Sequence, residues 1–300
     1  MKNRFRLKSD GMFDRIEEDI QEAPLRIVFL SVEGNHTERQ YFTYVEKYRE
    51  KIGIKKAVHI HPLKRAINDR CSAPQDVLEL LEEYIELRKK SKNLPQRLKE
   101  MIPKEYSYAF VKKYLEGNLT EKDEIEKFEC LLKQIGIDIA YTQFLSECRG
   151  HDDVFGVIID RDYKSHSVKQ MRKIAQECSD RGYRCFISTP LFEFWLLLHL
   201  TDVSSKTSAE LDKILINDHV SNQHTYTSYL VYEIAHHSKK MSEQIFQELY
   251  LPKIDYAIRE AKEKYACSVD DLIGNEESEK ASMGQLGTNI PELFDLLREV

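Results

Sequence analysis

Carboxylates stand at the ends of apolar runs in this chain. Glu33 follows the run from Arg26 to Val32, Asp160 closes "DDVFGVIID" with Asp162 two residues later, and Glu193 lies one turn into "PLFEFWLLLHL". Acids gathered on one rim repel each other unless a cation sits among them, so the pattern points to a hard divalent ion, Mg²⁺ or Mn²⁺. An Asp-x-Asp pair in extended geometry can aim both carboxylates at one cation, directly or through water. Glu33 would then be a metal ligand or a general base, with Gly34 letting the backbone turn where a side chain would crowd the site. Ordinary structural readings stand beside this one. Asp commonly ends strands, and Glu38 and Glu193 fall in first helical turns, where the macrodipole favours acids. Glu193 is the hardest to explain that way, because an acid among so many apolar neighbours suffers desolvation without a partner.

Cations follow the acids: Arg161, Lys164, Lys169, Arg172 and Lys173. A charge run on a helix is usually a solvated face, but beside a metal a phosphodiester would need such partners. The histidines carry less. His59 and His61 alternate on one strand without an evident third ligand, adjacent His236 and His237 cannot easily share a metal, and His199 is too far along its helix from Glu193 to reach the rim without a bend. Neither a Walker A loop nor a G-x-G-x-x-G occurs, so no recognisable nucleotide-hydrolysis engine is present.

The elements that would position these residues alternate. Arg26 to Val32 reads as a strand covered on both faces, followed by a helix whose start, Thr37 to Gln40, has the form of a capping box. Ala57 to Leu63 reads as a second strand, with a helix from about Pro74. Residues 152–160 and 184–189 read as further strands, Val168 to Cys178 as a helix, and Pro190 as the first residue of another. This is an α/β pattern with a mainly parallel sheet, and in such sheets ligands collect outside the carboxyl ends of the strands. Residues 91–150 read as a mostly helical insertion, punctuated near Gly117 and capped again at Thr120. After Leu200 the text is helical, over about 207–216, 224–236, 240–266 and Pro291 to Glu299, which suggests a helical cap or a small second domain. The organisation expected is an N-terminal extension over 1–24, an α/β domain over 25–200 and a helical region over 201–300.

With 300 residues, 41% hydrophobic and 32% charged, the chain can bury a core and is not disordered in composition. No apolar run is long enough for a membrane span or a signal peptide, so the expectation is a cytoplasmic protein without membrane contact. Cys71, Cys130, Cys148, Cys178, Cys185 and Cys267 lack the spacing of a disulfide frame or zinc site and read as reduced thiols. A net charge of −6 marks no global nucleic-acid binder, so such a role must rest on a local patch.

Taken in order, "IVFLSVEGNHTERQYF", "DDVFGVIIDRDYKSH" and "ISTPLFEFWLLLHL" resemble the RloB family, over roughly residues 25–200, and the ending "NIPELFDLLREV" is similar to that family's closing segment. The resemblance implies a Toprim-like fold whose Glu33, Asp160 and Asp162 hold Mg²⁺ for phosphodiester chemistry, with Glu38 and Glu193 matching two further acids of the pattern. It also implies an antiphage defence effector that cuts RNA, tRNA included, or DNA, often beside an AAA- or ABC-type ATPase, and it is compatible with a homo-oligomer. The 91–150 insertion departs from the compact pattern. Two rivals stay open: a non-catalytic Toprim-like module that binds nucleic acid or an ATPase, and an enzyme of nucleotidyl transfer or strand rejoining.

Overall fold

The structure, a computed structural model, describes residues 24–34, 36–63, 73–88, 106–115, 119, 121–135, 150–236 and 240–299. It is a mixed α/β chain built on a five-stranded sheet in the order β2-β1-β3-β4-β5. The strands are β1 (Arg26–Val32), β2 (Val58–Pro62), β3 (Val154–Asp160), β4 (Arg184–Thr189) and β5 (Gly287–Thr288). The first four run parallel. Among the described residues β5 alone is antiparallel in this sheet, its Thr288 opposite Ser188.

β1 is buried at every residue after Arg26, as a central strand must be when helices cover both faces. Among the described residues β2 is an edge strand, which is where its Pro62 is tolerated, since a proline there removes no ladder bond. From β1 the chain goes to β2 on one side and later returns to β3 on the other, so the strand order reverses between β1 and β3. That reversal opens the crevice in which α/β sheets bind ligands.

α1 (Thr37–Lys47) follows β1, but the capping box expected at Thr37 does not form. His36 is the cap residue and Thr37 is already helical, so Glu38 is left to turn back toward Gly34. α2 (Pro74–Arg88) touches β1 through its first half, where the Ser31 hydroxyl donates to the Val77 carbonyl at 2.6 Å. Further on, α3 (Tyr108–Leu115) and α4 (Lys122–Ile135) lie within the expected insertion. They share an aromatic cluster in which Phe128 meets Tyr106, Phe110 and Tyr114. Gly117 and Thr120 lie outside the described residues.

α5 (Val168–Asp180) begins in a true capping box between Ser167 and Gln170. α6 (Phe192–Leu200) starts after Pro190 rather than at it: the Thr189–Pro190 peptide is cis, and Leu191 is the cap residue. α6 is buried on nearly every side, so its run of Phe, Trp and Leu is the centre of the main core.

α7 (Ser208–Ile216) and α8 (Tyr226–Ala235) match the helices expected there. The single helix expected over 240–266 is instead a short helical turn at Glu243–Ile245, a π segment at Phe246–Tyr250, a 3₁₀ turn at Leu251–Lys253 and α9 (Ile254–Lys264). Pro252, which cannot donate to the helical ladder, falls at the joint. α10 (Val269–Ile273), α11 (Glu279–Ser282) and α12 (Ile290–Arg298) close the chain. α12 buries Ile290, Leu293, Phe294 and Leu297, one apolar helical face.

The chain divides into two compact units, one drawn from residues 1–25, 64–71 and 82–152, the other from 26–63, 72–81 and 153–300. The C-terminal third is therefore built into the sheet-bearing unit, where Asn289 accepts from Ile187 N–H at 2.7 Å and donates to the Cys185 carbonyl at 3.0 Å. Among the described residues no helix is long and apolar enough to cross a membrane.

Candidate functional site

The pairing of Val32 with Ile158 brings the ends of β1 and β3 side by side, and Asp160 in turn lies opposite Ser188 of β4. Glu33 N–H extends the ladder to the Ile158 carbonyl at 3.1 Å, and Glu33 Oε2 accepts from Asp160 N–H at 3.0 Å. Asp160 Oδ1 accepts from Phe192 N–H at 2.8 Å, at the start of the helix that carries Glu193. Glu38 Oε1 accepts from Gly34 N–H at 3.2 Å. A Cβ at position 34 would lie 2.0 Å from Glu38 Oε2, so only glycine lets that carboxylate fold back.

Glu33, Glu38, Asp160 and Glu193 thus meet at the strand-order reversal. Burial, and then the charges of Glu33, Glu38 and Glu193, push the Asp160 carboxyl well above the usual carboxylate range. Asp162 is placed differently. Its carboxylate accepts from the Ser165 hydroxyl at 2.6 Å, in the turn leading into α5. In that turn His166 brings Nε2 to 4.0 Å from Glu33 Oε1. Burial holds its imidazole below the usual histidine range, opposed by the Asp162 charge.

Arg161 requires a correction. The sequence places it among the phosphate partners, but the residue is 1% exposed and each of its three side-chain nitrogens donates to a backbone carbonyl. Nε donates to Ile273 at 2.7 Å, Nη1 to His166 at 2.7 Å, and Nη2 to Ser282. Alternation along an extended chain sends it away from Asp160 and Asp162. The other cations lie at the surface. Lys164 pairs with Asp218 at 2.5 Å, Arg172 donates to the Gly274 carbonyl at 2.9 Å, Lys173 lies 3.5 Å from Glu177, and Lys169 is exposed on α5.

The histidines set aside above have structural partners. His59 Nδ1 lies 2.8 Å from Glu46 Oε1. His199 is buried, and burial lowers its pKa to about 3. Its Nδ1 faces the Trp195 carbonyl at 2.9 Å, which can only accept, so Nε2 must accept from the Tyr41 hydroxyl at 3.1 Å. His236 caps α8 in the left-handed region, and His237 lies outside the described residues.

A family model described as RloB-like protein matches residues 28–297, from β1 through α12. The chain belongs to the RloB-like family. Comparisons with curated proteins and with solved structures return no match. In this RloB-like chain, no three His, Cys, Asp or Glu side chains among the described residues already close on one point as metal ligands. What fits a divalent cation is the donor chemistry: clustered carboxylates whose burial and mutual repulsion disfavour the Asp160 anion, a penalty that a cation among them would relieve. Strand ends alone locate Glu33 and Asp160 in the sequence, but they do not point to His166. Its one sequence signal is its place in "DRDYKSH", a turn short enough to fold back toward the end of β3.

Proposed function

We propose that this RloB-like protein is a Mg²⁺- or Mn²⁺-dependent nuclease of Toprim type. It would cut phosphodiester bonds of RNA, with tRNA as one target, or of DNA, as an effector of prokaryotic antiphage defence working beside an ATPase. The observation that carries this reading is the meeting of Glu33, Glu38, Asp160 and Glu193 around the crevice between β1 and β3. Such a cluster is costly to leave uncompensated, and perturbed carboxylates in a cleft mark functional sites.

A bound divalent cation would supply charge neutralisation at the phosphate and activation of the attacking water. The chain's own residues do the positioning. Asp160 N–H fixes Glu33 Oε2 and Phe192 N–H fixes Asp160 Oδ1, and these two oriented carboxylates would hold the cation. Asp162 joins from the turn, Glu38 and Glu193 complete the rim, and Glu33 is the candidate base. Lys164, Lys169, Arg172 and Lys173 remain the proposed phosphate partners, and Arg161 leaves that set.

A second reading, a binding module without catalysis, draws on the same backbone bonds, which give both carboxylates a structural task. Labelled tRNA, single-stranded RNA and double-stranded DNA incubated with the protein in Mg²⁺, Mn²⁺ or EDTA separate the two. Metal-dependent cutting that disappears in Asp160→Ala supports the nuclease. Cutting unaltered in that variant refutes the site, and no cutting with the ATPase present favours the module.

A further inference from the structure

His166 belongs to no role assigned above, yet its backbone is hydrogen-bonded on both sides. Ser165 N–H and His166 N–H both donate to the Asp162 carbonyl, at 2.9 and 3.0 Å, and Asp162 N–H donates to the Pro190 carbonyl at 3.0 Å. The His166 carbonyl is gripped from the other side by Arg161 Nη1 at 2.7 Å. The imidazole, 15% exposed, then points to the acids, with Nε2 4.0 Å from Glu33 Oε1. It also feels the Asp162 charge. His166 thus lies near both Glu33 and Asp162.

The 4.0 Å separation is informative. It is too long for a hydrogen bond, which needs about 2.7–3.2 Å. Two donors on one ion with bonds of about 2.1 Å lie about 3.0 Å apart when adjacent in an octahedron and about 4.2 Å apart when opposite, so 4.0 Å is close to the opposite arrangement. We infer that His166 gives an imidazole nitrogen to the cation shared with Glu33, making a mixed oxygen–nitrogen site that favours Mn²⁺ over Mg²⁺. Imidazole suits transition ions, whereas Mg²⁺ takes oxygen donors and keeps its waters. The inference rests on the cation site proposed above.

Pulsed electron paramagnetic resonance of Mn²⁺ bound to the full chain tests it, with unlabelled protein, ¹⁵N-histidine-labelled protein, and the variants His166→Ala and His166→Gln. Thermal unfolding checks that both variants fold. The expected result is a ¹⁴N coupling that becomes ¹⁵N on labelling and vanishes in both variants. Their Mn²⁺ affinity should fall about tenfold or more, the scale on which even outer partners of a metal site act, while Mg²⁺ affinity holds. Bound Mn²⁺ without a histidine coupling, or with the same coupling in the variants, overturns the role of His166 and leaves the cation site standing. Wild-type protein that binds no Mn²⁺ overturns both.

Discussion

Arg161→Lys should be far more disruptive than a conserved charge suggests. The guanidinium reaches three carbonyls in three segments, those of His166, Ile273 and Ser282, from one planar fork. A lysine ammonium is a point charge on a flexible stem and can serve one of these directions while leaving two carbonyls without a donor. Hydrogen bonds to charged groups are worth about 1.5–3 kcal/mol each, so the loss spans about 3–6 kcal/mol. Water entering the gap recovers part of it, which puts the expected cost near 3 kcal/mol. That is a large share of the ~5–15 kcal/mol that holds a typical domain. Urea unfolding followed by fluorescence measures it, because Trp195 is the only tryptophan and is fully buried in the same unit. A loss under about 1 kcal/mol would refute the view that this guanidinium ties the acid-bearing turn to the C-terminal segment.

Asp160→Asn should raise the unfolding midpoint at neutral pH. The fold raises this carboxyl's pKa, so the native state holds the proton more tightly than the unfolded chain, and stability falls as pH climbs from the ordinary carboxylate range through the raised value. Asn keeps the oxygen that accepts from Phe192 and removes the titration, so in EDTA, where no cation stabilises the wild type, its pH profile should be flatter; a variant less stable than wild type at pH 7 under those conditions would contradict the burial argument. Gly34→Ala should expel the Glu38 carboxylate, since the new Cβ would lie 2.0 Å from Oε2. A stability loss of about 1 kcal/mol with reduced metal-dependent cutting is expected, and undiminished cutting would show that Glu38 is dispensable. Tyr41→Phe removes the donor to buried His199 Nε2 and should cost about 1–3 kcal/mol by chemical denaturation; no change would mean that water or another group replaces the hydroxyl.

Much of the sheet was legible because three of its strands are short apolar runs, two of them running into acids. β1 and β3 have this form, β4 is a similar apolar run, and their parallel order places Glu33 and Asp160 together. Features decided by tertiary contacts were not legible. β5 has two residues and exists through its pairing with Ser188 and Thr189, below any strand signal in sequence. Thr37 has a capping residue's chemistry, but the chain turns one residue earlier, at His36. Arg161 reads as one more cation in a basic run, although strand alternation from Asp160 already turns it from the rim. What alternation does not give is the wrap of α10 and α11 that supplies its acceptors.

The central claim, that the acids at the β1–β3 crevice gather to hold a divalent cation, is tested most directly by calorimetric titration of Mg²⁺ and Mn²⁺ into the wild-type protein and Asp160→Ala. Saturable binding in the wild type that is lost in the variant is the expected result, with a matching rise in thermal stability, about 2.7 kcal/mol at a hundredfold excess over Kd. Wild-type protein that takes up neither ion, or a variant that binds as well as the wild type, would contradict the account.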